Sequence, residues 1–312
     1  MSRDDAPHAP HRGRAARLLG PLHVTGVFWF RFHAWGATRG EWVIRLVLPP
    51  FTAFFFVTLR RIRRAVAHNL EAVLGPCGWR ERQRRIWRTM HTFAWSLTER
   101  YERLLGERPF EVEVERMDLW RQAVGGPRGV VVITGHIGNW EMASTLPEAQ
   151  EGRRIHVVRE EEMDPQAQAF IEESLRRRAG AGYTTHFASE VDPRLGLRLR
   201  EALDRGEVVA LQGDRPRRRG RTVPATLFGR PYAIPAGPLA LARQAGVPLL
   251  PAFVFRTGRR RYLVRFCEPI VVERGGDREA ELVAAARRVA AEVEAAVRFR
   301  PHQWFVFREL WR

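Results

Sequence analysis

Residues 134–144, TGHIGNWEMAS, hold the side chains with the most chemistry in this chain: His136 and, five positions on, Glu141. A neutral imidazole takes up a proton near neutral pH, and a carboxylate beside it orients the ring and stabilises the imidazolium as it forms. Such a pair can activate a substrate hydroxyl directly, so no enzyme nucleophile is required. On one regular helix two residues five apart diverge, because successive positions rotate by about 100°. The run Gly129 to Thr134 (GVVVIT) predicts a buried strand ending just before His136. Asn139 is suited to cap a helix starting at Trp140. A strand–loop–helix corner then folds Glu141 back toward the ring, with Gly135 and Gly138 permitting the tight turn and leaving room for a substrate. Alone, this spacing has a second reading: a histidine closing a turn and a glutamate at a helix N-terminus for its dipole.

The elements that must position this corner follow from punctuation. Further strands are predicted at 155–158, 208–211 and 247–255, the last with a partner at 262–272 across a Thr257-Gly258 turn. Asp164-Pro165 and Asp192-Pro193 open helices as cap and first-turn proline, and Gly180 and Gly206 close them. Gly237-Pro238 opens another helix, which Gly246 ends, and Asp277 starts a long final one. Strands alternating with helices predict an α/β domain over 111–312.

The N-terminal third reads differently. Residues 1–17 are an aperiodic, basic tail expected to be disordered. Residues 18–110 are expected to be helical and membrane-associated. Within them 46–59 (LVLPPFTAFFFVTL) is apolar, but shorter than the roughly 20 residues of a spanning helix, and Pro49-Pro50 would kink it. Arg60, Arg61, Arg63 and Arg64 follow directly. An aromatic, apolar segment with arginines at its exit suits an interfacial or re-entrant anchor facing anionic lipid. A buried core helix followed by a solvated basic one is the other reading. Ile86, Met90, Phe93, Leu97, Tyr101 and Leu104 recur at threes and fours and predict a helix over 80–105. No secretory signal pattern is visible.

Composition removes several classes of function. The 312 residues carry a formal net charge of +17, and all 52 basic residues are arginine. Without lysine there is no Schiff-base chemistry and no Walker-type phosphate loop. Two distant cysteines, Cys77 and Cys267, make neither a disulfide framework nor a cysteine-rich zinc site. The histidines lack metal-ligand spacing, so no metal is expected. The basic excess calls for acidic partners: nucleic acid, anionic lipid or an acidic carrier protein. The aromatic residues fall in apolar runs rather than between arginines, which argues against nucleic acid.

The block TGHIGNWE resembles the H-x4-D/E motif of the lysophospholipid acyltransferase superfamily, and most closely the branch of bacterial lipid A late acyltransferases. Gly213-Asp214-Arg215 after a strand, Phe228-Gly229-Arg230-Pro231, Ile234-Pro235-Ala236-Gly237-Pro238 with the stretch on to Arg256, and the C-terminal RPHQWFVFRELW agree in order. Ala67-His68-Asn69-Leu70 resembles an upstream element of that family. The likeness covers about residues 60–312; the anchor is shorter and more broken than the family's usual single helix.

The resemblance implies a mixed sheet flanked by helices, as in glycerolipid acyltransferases, with an N-terminal helical membrane segment. It implies transfer of a fatty-acyl chain from a thioester of acyl carrier protein to a hydroxyl of a membrane glycolipid such as a lipid A precursor. Acyl-coenzyme A as donor and a lysophospholipid or mannosylated phosphoinositide as acceptor remain open. No cofactor beyond the acyl thioester co-substrate is implied. The setting would be the cytoplasmic face of the bacterial inner membrane. His136 and Glu141 would be the catalytic pair. Arg159 would hold a phosphate or the developing oxyanion, or else be a surface arginine. Asp214 and Arg215 sit at a strand's C-terminal end, where α/β ligand sites collect, and would bind substrate or brace the loop. Gly229, Pro235, Gly237 and Pro238 would shape the pocket floor. The basic tract 215–221 would meet carrier protein or lipid phosphate, or be a solvated loop.

Overall fold

The computed structural model describes residues 27–37, 41–105, 109–140, 153–160, 183–188, 194–216 and 220–311, with 165–166, 168–169 and 172–173 besides. The tail 1–17, the start of the helix at Asp164, the Asp192-Pro193 cap, the arginines 217–219 and Glu141 lie outside these described residues.

Four helices come first: α1 (Val27–Ala37), α2 (Glu41–Thr58), α3 (Arg60–Leu74) and α4 (Trp79–Leu105). Helix α2 runs through Pro49 and Pro50 and packs on α4. It buries Ile44, Leu48 and Thr52, and the Thr52 hydroxyl lies 3.0 Å from Nδ1 of His91 on α4. Its outer face carries Trp42, Leu46, Phe54 and Val57, which are 53–72% exposed. Spacings of four, eight and three residues place these four on one side of the helix, opposite the buried stripe. Among the described residues α2 is the helix long and apolar enough to cross a membrane.

The rest is α/β. The strands are β1 (Glu111–Glu115), β2 (Val130–Thr134), β3 (Ile155–Glu160), β4 (Tyr183–Ala188), β5 (Val208–Gln212), β6 (Thr222–Leu227), β7 (Arg230–Pro235), β8 (Leu249–Gly258) and β9 (Arg261–Phe266). The helices are α5 (Met117–Val124), α6 (Leu195–Asp204), α7 (Ala236–Ala245) and α8 (Arg278–Phe299), followed by a 3-10 turn at Pro301–Gln303. Seven strands form one sheet in the order β1-β9-β8-β2-β5-β3-β4. Strand β9 runs antiparallel to β8 and parallel to β1, so the sheet is mixed, with a parallel centre. Both faces of the central strands are covered, as their continuous β-branched runs demand. Val131, Ile133, Val209 and Phe253 pack against α6, α7 and α8; Val130, Val208, Leu250 and Val254 lie on the other face with Trp120 of α5.

Two expectations shift. The turn after β8 falls at Arg259-Arg260 rather than Thr257-Gly258, with Arg260 in a left-handed conformation. Strand β9 stops at Phe266 instead of continuing to Val272, since Pro269 has no N–H to extend the ladder. No sequence expectation covers the hairpin β6–β7: Phe228 and Gly229, with φ of 54° and 72°, make a tight two-residue turn between its strands. The Gly206, Gly246 and Asp277 punctuation holds; Asp277 accepts a hydrogen bond from the Glu279 N–H.

A buried ion lattice ties α4 to the β8–β9 hairpin. Glu99, fully buried, accepts from Arg256 Nε and Nη2 at 3.0 Å each, from Arg259 at 3.1 Å and from the Tyr262 hydroxyl. Glu102 accepts from Arg259 and Arg260. Burial pushes the Glu102 carboxyl up, but these guanidinium partners outweigh it and hold the carboxyl low.

Candidate active site

The parallel register of β2 and β5 decides the geometry. Thr134 is level with Gln212, so two residues further on His136 stands opposite Asp214. Neighbouring strands lie about 4.8 Å apart, close enough for the side chains to meet. Nδ1 of His136 lies 2.7 Å from Oδ1 of Asp214, and the His136 backbone N–H donates to Oδ2 at 2.9 Å. Facing a carboxylate, Nδ1 carries the hydrogen, which leaves the Nε2 lone pair as the ring's acceptor. The loop crosses neighbouring chain closely: Gly138 has φ 57°, and a Cβ there would collide with the Val254 carbonyl oxygen. At Gly135 a Cβ would sit 3.1 Å from the Asp214 Cβ.

Asp214 is completely buried. Burial alone would raise its carboxyl; the charge and hydrogen bonds of His136, with Arg215 behind, outweigh that and hold it below the usual carboxylate range. Oδ2 also accepts from the Trp304 indole N–H at 3.0 Å. The Tyr232 hydroxyl donates to the Asp214 carbonyl at 2.7 Å. Burial and the Asp214 charge push the Tyr232 phenol up, which keeps it a donor.

The C-terminal segment closes the site from the other side. Gly138 N–H donates to the Gln303 carbonyl at 2.9 Å, and Phe305 N–H donates to the His136 carbonyl at 2.7 Å. The Gln303 amide clasps the backbone of Arg256, accepting from its N–H at 2.8 Å and donating to its carbonyl at 2.7 Å. Asn69 on α3 holds the segment beyond, donating to the carbonyls of Val306 and Arg308 at 3.1 and 2.9 Å and accepting from Leu310 N–H. The RPHQWFVFRELW ending is thus the back wall of the histidine loop.

His136 lines a cavity of about 1060 Å³, at the large end of the range for ligand pockets. Leu195 and Leu199 from α6, Leu211 from β5 and Leu241 from α7 give it apolar walls. Arg159, Arg215, Arg221 and Arg278 add positive charge, against Asp277 and Glu279. Such a chamber suits an amphipathic ligand with acidic or phosphate groups.

Most of the residues expected at a site converge here. His136, Arg159, Arg215, Pro235, Gly237 and Pro238 all line the cavity, and Asp214 stands behind the histidine. Arg159 is not a solvated surface arginine: it is 9% exposed, with its guanidinium 5.6 Å from the Trp140 ring centre. Gly229 does not join them. It is exposed in the β6–β7 turn, off the cavity wall, where its positive φ rather than any ligand calls for glycine. Asn139 uses its side-chain amide on the Ser96 carbonyl at 3.3 Å. Trp304, Tyr232 and Gln303 carried no role in the sequence reading. Trp304 lies 90 positions from Asp214, and nothing local links them. Among the described residues no group of three or more potential ligand side chains is placed to hold a metal.

Residues 25–312 match the bacterial lipid A biosynthesis acyltransferase family. The chain belongs to that family. It is also 28% identical over 195 residues to a phosphatidylinositol mannoside acyltransferase of Mycobacterium tuberculosis, an alignment covering 61% of this chain. That alignment spans just over half, 56%, of the relative's length. A solved structure similar to this chain is the 1-acyl-sn-glycerophosphate acyltransferase of Thermotoga maritima, at 15% identity and a TM-score of 0.36, covering 82% of this chain and 97% of that one. The matched range includes the histidine motif, the Gly213-Asp214-Arg215 block and the C-terminal Gln303-Trp304. The apolar outer stripe of α2 is of the length and composition that suits contact with a membrane.

Proposed function

We propose that this protein transfers a fatty-acyl chain from the thioester of acyl carrier protein to a hydroxyl of a membrane glycolipid such as a lipid A precursor. The observation that carries this reading is the His136–Asp214 pair at the edge of a largely apolar cavity rimmed by arginines. Nε2 of His136 takes the proton as the acceptor oxygen attacks the thioester carbonyl. The carbon–oxygen bond forms, the tetrahedral oxyanion collapses, and the carbon–sulfur bond breaks. The imidazolium returns its proton to the departing thiolate. Arg159 is suited to stabilise the oxyanion or hold an acceptor phosphate, Arg215 to hold a second acidic group, and the leucine walls to receive a chain. Glu141, five residues on, is the second carboxylate of this proposal.

A second acceptor, a mannosylated phosphoinositide, is favoured by the likeness to the mycobacterial phosphatidylinositol mannoside acyltransferase; coenzyme A is the alternative carrier of the donor. For location we propose the cytoplasmic face of the inner membrane, with α2 lying in the plane of the interface. Its buried stripe is committed to α4, a helix bearing Glu99, Glu102 and many arginines that would not follow it into hydrocarbon.

Purified wild type and His136→Ala would be given labelled acyl-carrier protein or acyl-coenzyme A, with glycolipid precursors and phosphoinositide mannosides, and the products read by mass spectrometry. An acylated lipid from wild type, reduced about a hundredfold or more in the variant, is expected, and the product names the acceptor. Equal activity in both proteins would remove His136 from the chemistry.

A further inference from the structure

Trp304 is 3% exposed, and its ring packs against Phe228 and Trp311 at 5.8 and 6.3 Å between centres. Packing alone does not call for its nitrogen to be used. The indole nitrogens of Trp120 and Trp311 are also buried, yet have no hydrogen-bond partner. The Trp304 nitrogen instead points at Asp214, the carboxylate that holds His136 among the described residues. The backbone around it is fixed to the same loop, through the Ile137–Trp304 bridge and the flanking bonds from Gly138 to Gln303 and from Phe305 to His136.

We infer that Trp304 is a positioning residue for the reaction at His136: its N–H pins Oδ2 of Asp214 so that Oδ1 is presented to Nδ1. The inference rests on His136 acting as the base. A carboxylate can accept about four hydrogen bonds and rotates unless its oxygens are distinguished. Two donors converge on Oδ2, the His136 N–H at 2.9 Å and the Trp304 N–H at 3.0 Å, and they fix the plane of the group. Oδ1 is then left to the ring, in the orientation that keeps hydrogen on Nδ1 and the lone pair on Nε2. Among the described residues the titratable and charged groups facing Asp214 are His136, Arg215 and, at its backbone carbonyl, Tyr232. A donor to the ionised carboxylate also favours that ionised form, so losing the indole N–H makes Asp214 easier to protonate and less able to hold the ring at low pH.

The test separates nitrogen from ring. Trp304→Phe removes the N–H with part of the ring. Incorporation of 3-(3-benzothienyl)alanine at 304 keeps the bicyclic shape and puts sulfur where the N–H was. Nitrogen-15 NMR of histidine-labelled protein reads the His136 tautomer, assigned by its loss in His136→Gln. Acyl transfer gives kcat, KM and their pH dependence. We expect a single Nδ1–H tautomer in wild type and a mixture in the sulfur analogue. We also expect kcat lowered about tenfold with KM nearly unchanged, and an acid limb of the rate profile moved to higher pH. Should Trp304→Phe fail to fold, the sulfur analogue decides alone. A folded analogue with the wild-type tautomer, kcat within about twofold and an unmoved acid limb overturns the inference and makes Trp304 a packing residue. Absence of acyl transfer in wild type would overturn the functional reading instead, while the tautomer measurement still judges Trp304.

Discussion

Replacing Asp214 by Asn exchanges one carboxylate oxygen for an NH₂ and tests the whole arrangement. Asp214 accepts three hydrogen bonds, two on Oδ2 and one on Oδ1. Asparagine has one acceptor oxygen and one NH₂. The His136 N–H and the Trp304 N–H are fixed donors, so the amide oxygen settles on their side and two of the three bonds survive. The NH₂ then faces Nδ1 of His136, which must present its lone pair. The imidazole changes tautomer, Nε2 acquires the hydrogen, and it no longer accepts a proton from a hydroxyl. An aspartate-to-asparagine change with this consequence in a histidine-based triad costs about 10⁴ in kcat, and a loss of 10³–10⁴ is expected here. Stability should fall by no more than about 2 kcal/mol, since one hydrogen bond is exchanged rather than a buried donor orphaned. Acyl transfer gives the rate, a thermal melt gives the stability, and nitrogen-15 NMR gives the tautomer. A folded Asp214→Asn protein with kcat within about threefold of wild type would refute the argument that this carboxylate sets the state of the ring. It would leave Glu141 as the partner to examine.

Gly138→Ala places a Cβ against the Val254 carbonyl at a left-handed backbone; a loss of about 2–4 kcal/mol on chemical denaturation and near-complete loss of transfer are expected. His302 is held down to about 4 by burial and by Arg88 and Arg85. The unfolded chain therefore binds more protons between about 4 and 6.5, and stability should fall as pH drops through that window. His302→Gln should flatten this part of the melting-temperature profile, and an unchanged slope would contradict it. Leu46→Glu puts a charge on the exposed stripe of α2; flotation with anionic vesicles should show at least about tenfold weaker binding, with the melting temperature little changed.

What was legible beforehand was local. The run ending at Thr134, the glycines at 135 and 138, the Asp277 cap and the αL glycines at 206 and 246 each act through a few neighbouring residues, so their chemistry can be read along the chain. The motif blocks likewise marked His136, Arg159, Arg215, Pro235 and Gly237, and the fold brings these to one cavity. The contact of Asp214 with the ring was not legible. The sequence marks Asp214 only as a residue that binds substrate or braces its loop, and from 78 positions away it becomes a neighbour of His136 because β2 and β5 pair in parallel with Thr134 level with Gln212. Register is a property of two strands together. The same holds for Trp304, for the Gln303 clasp on Arg256, and for Glu99 and Glu102 among three arginines: each joins segments more than 40 residues apart. Sequence alone determined which residues have the chemistry to act and which elements carry them. Tertiary structure decided which acid meets which base, because that choice depends on strand order and register, which no local pattern encodes.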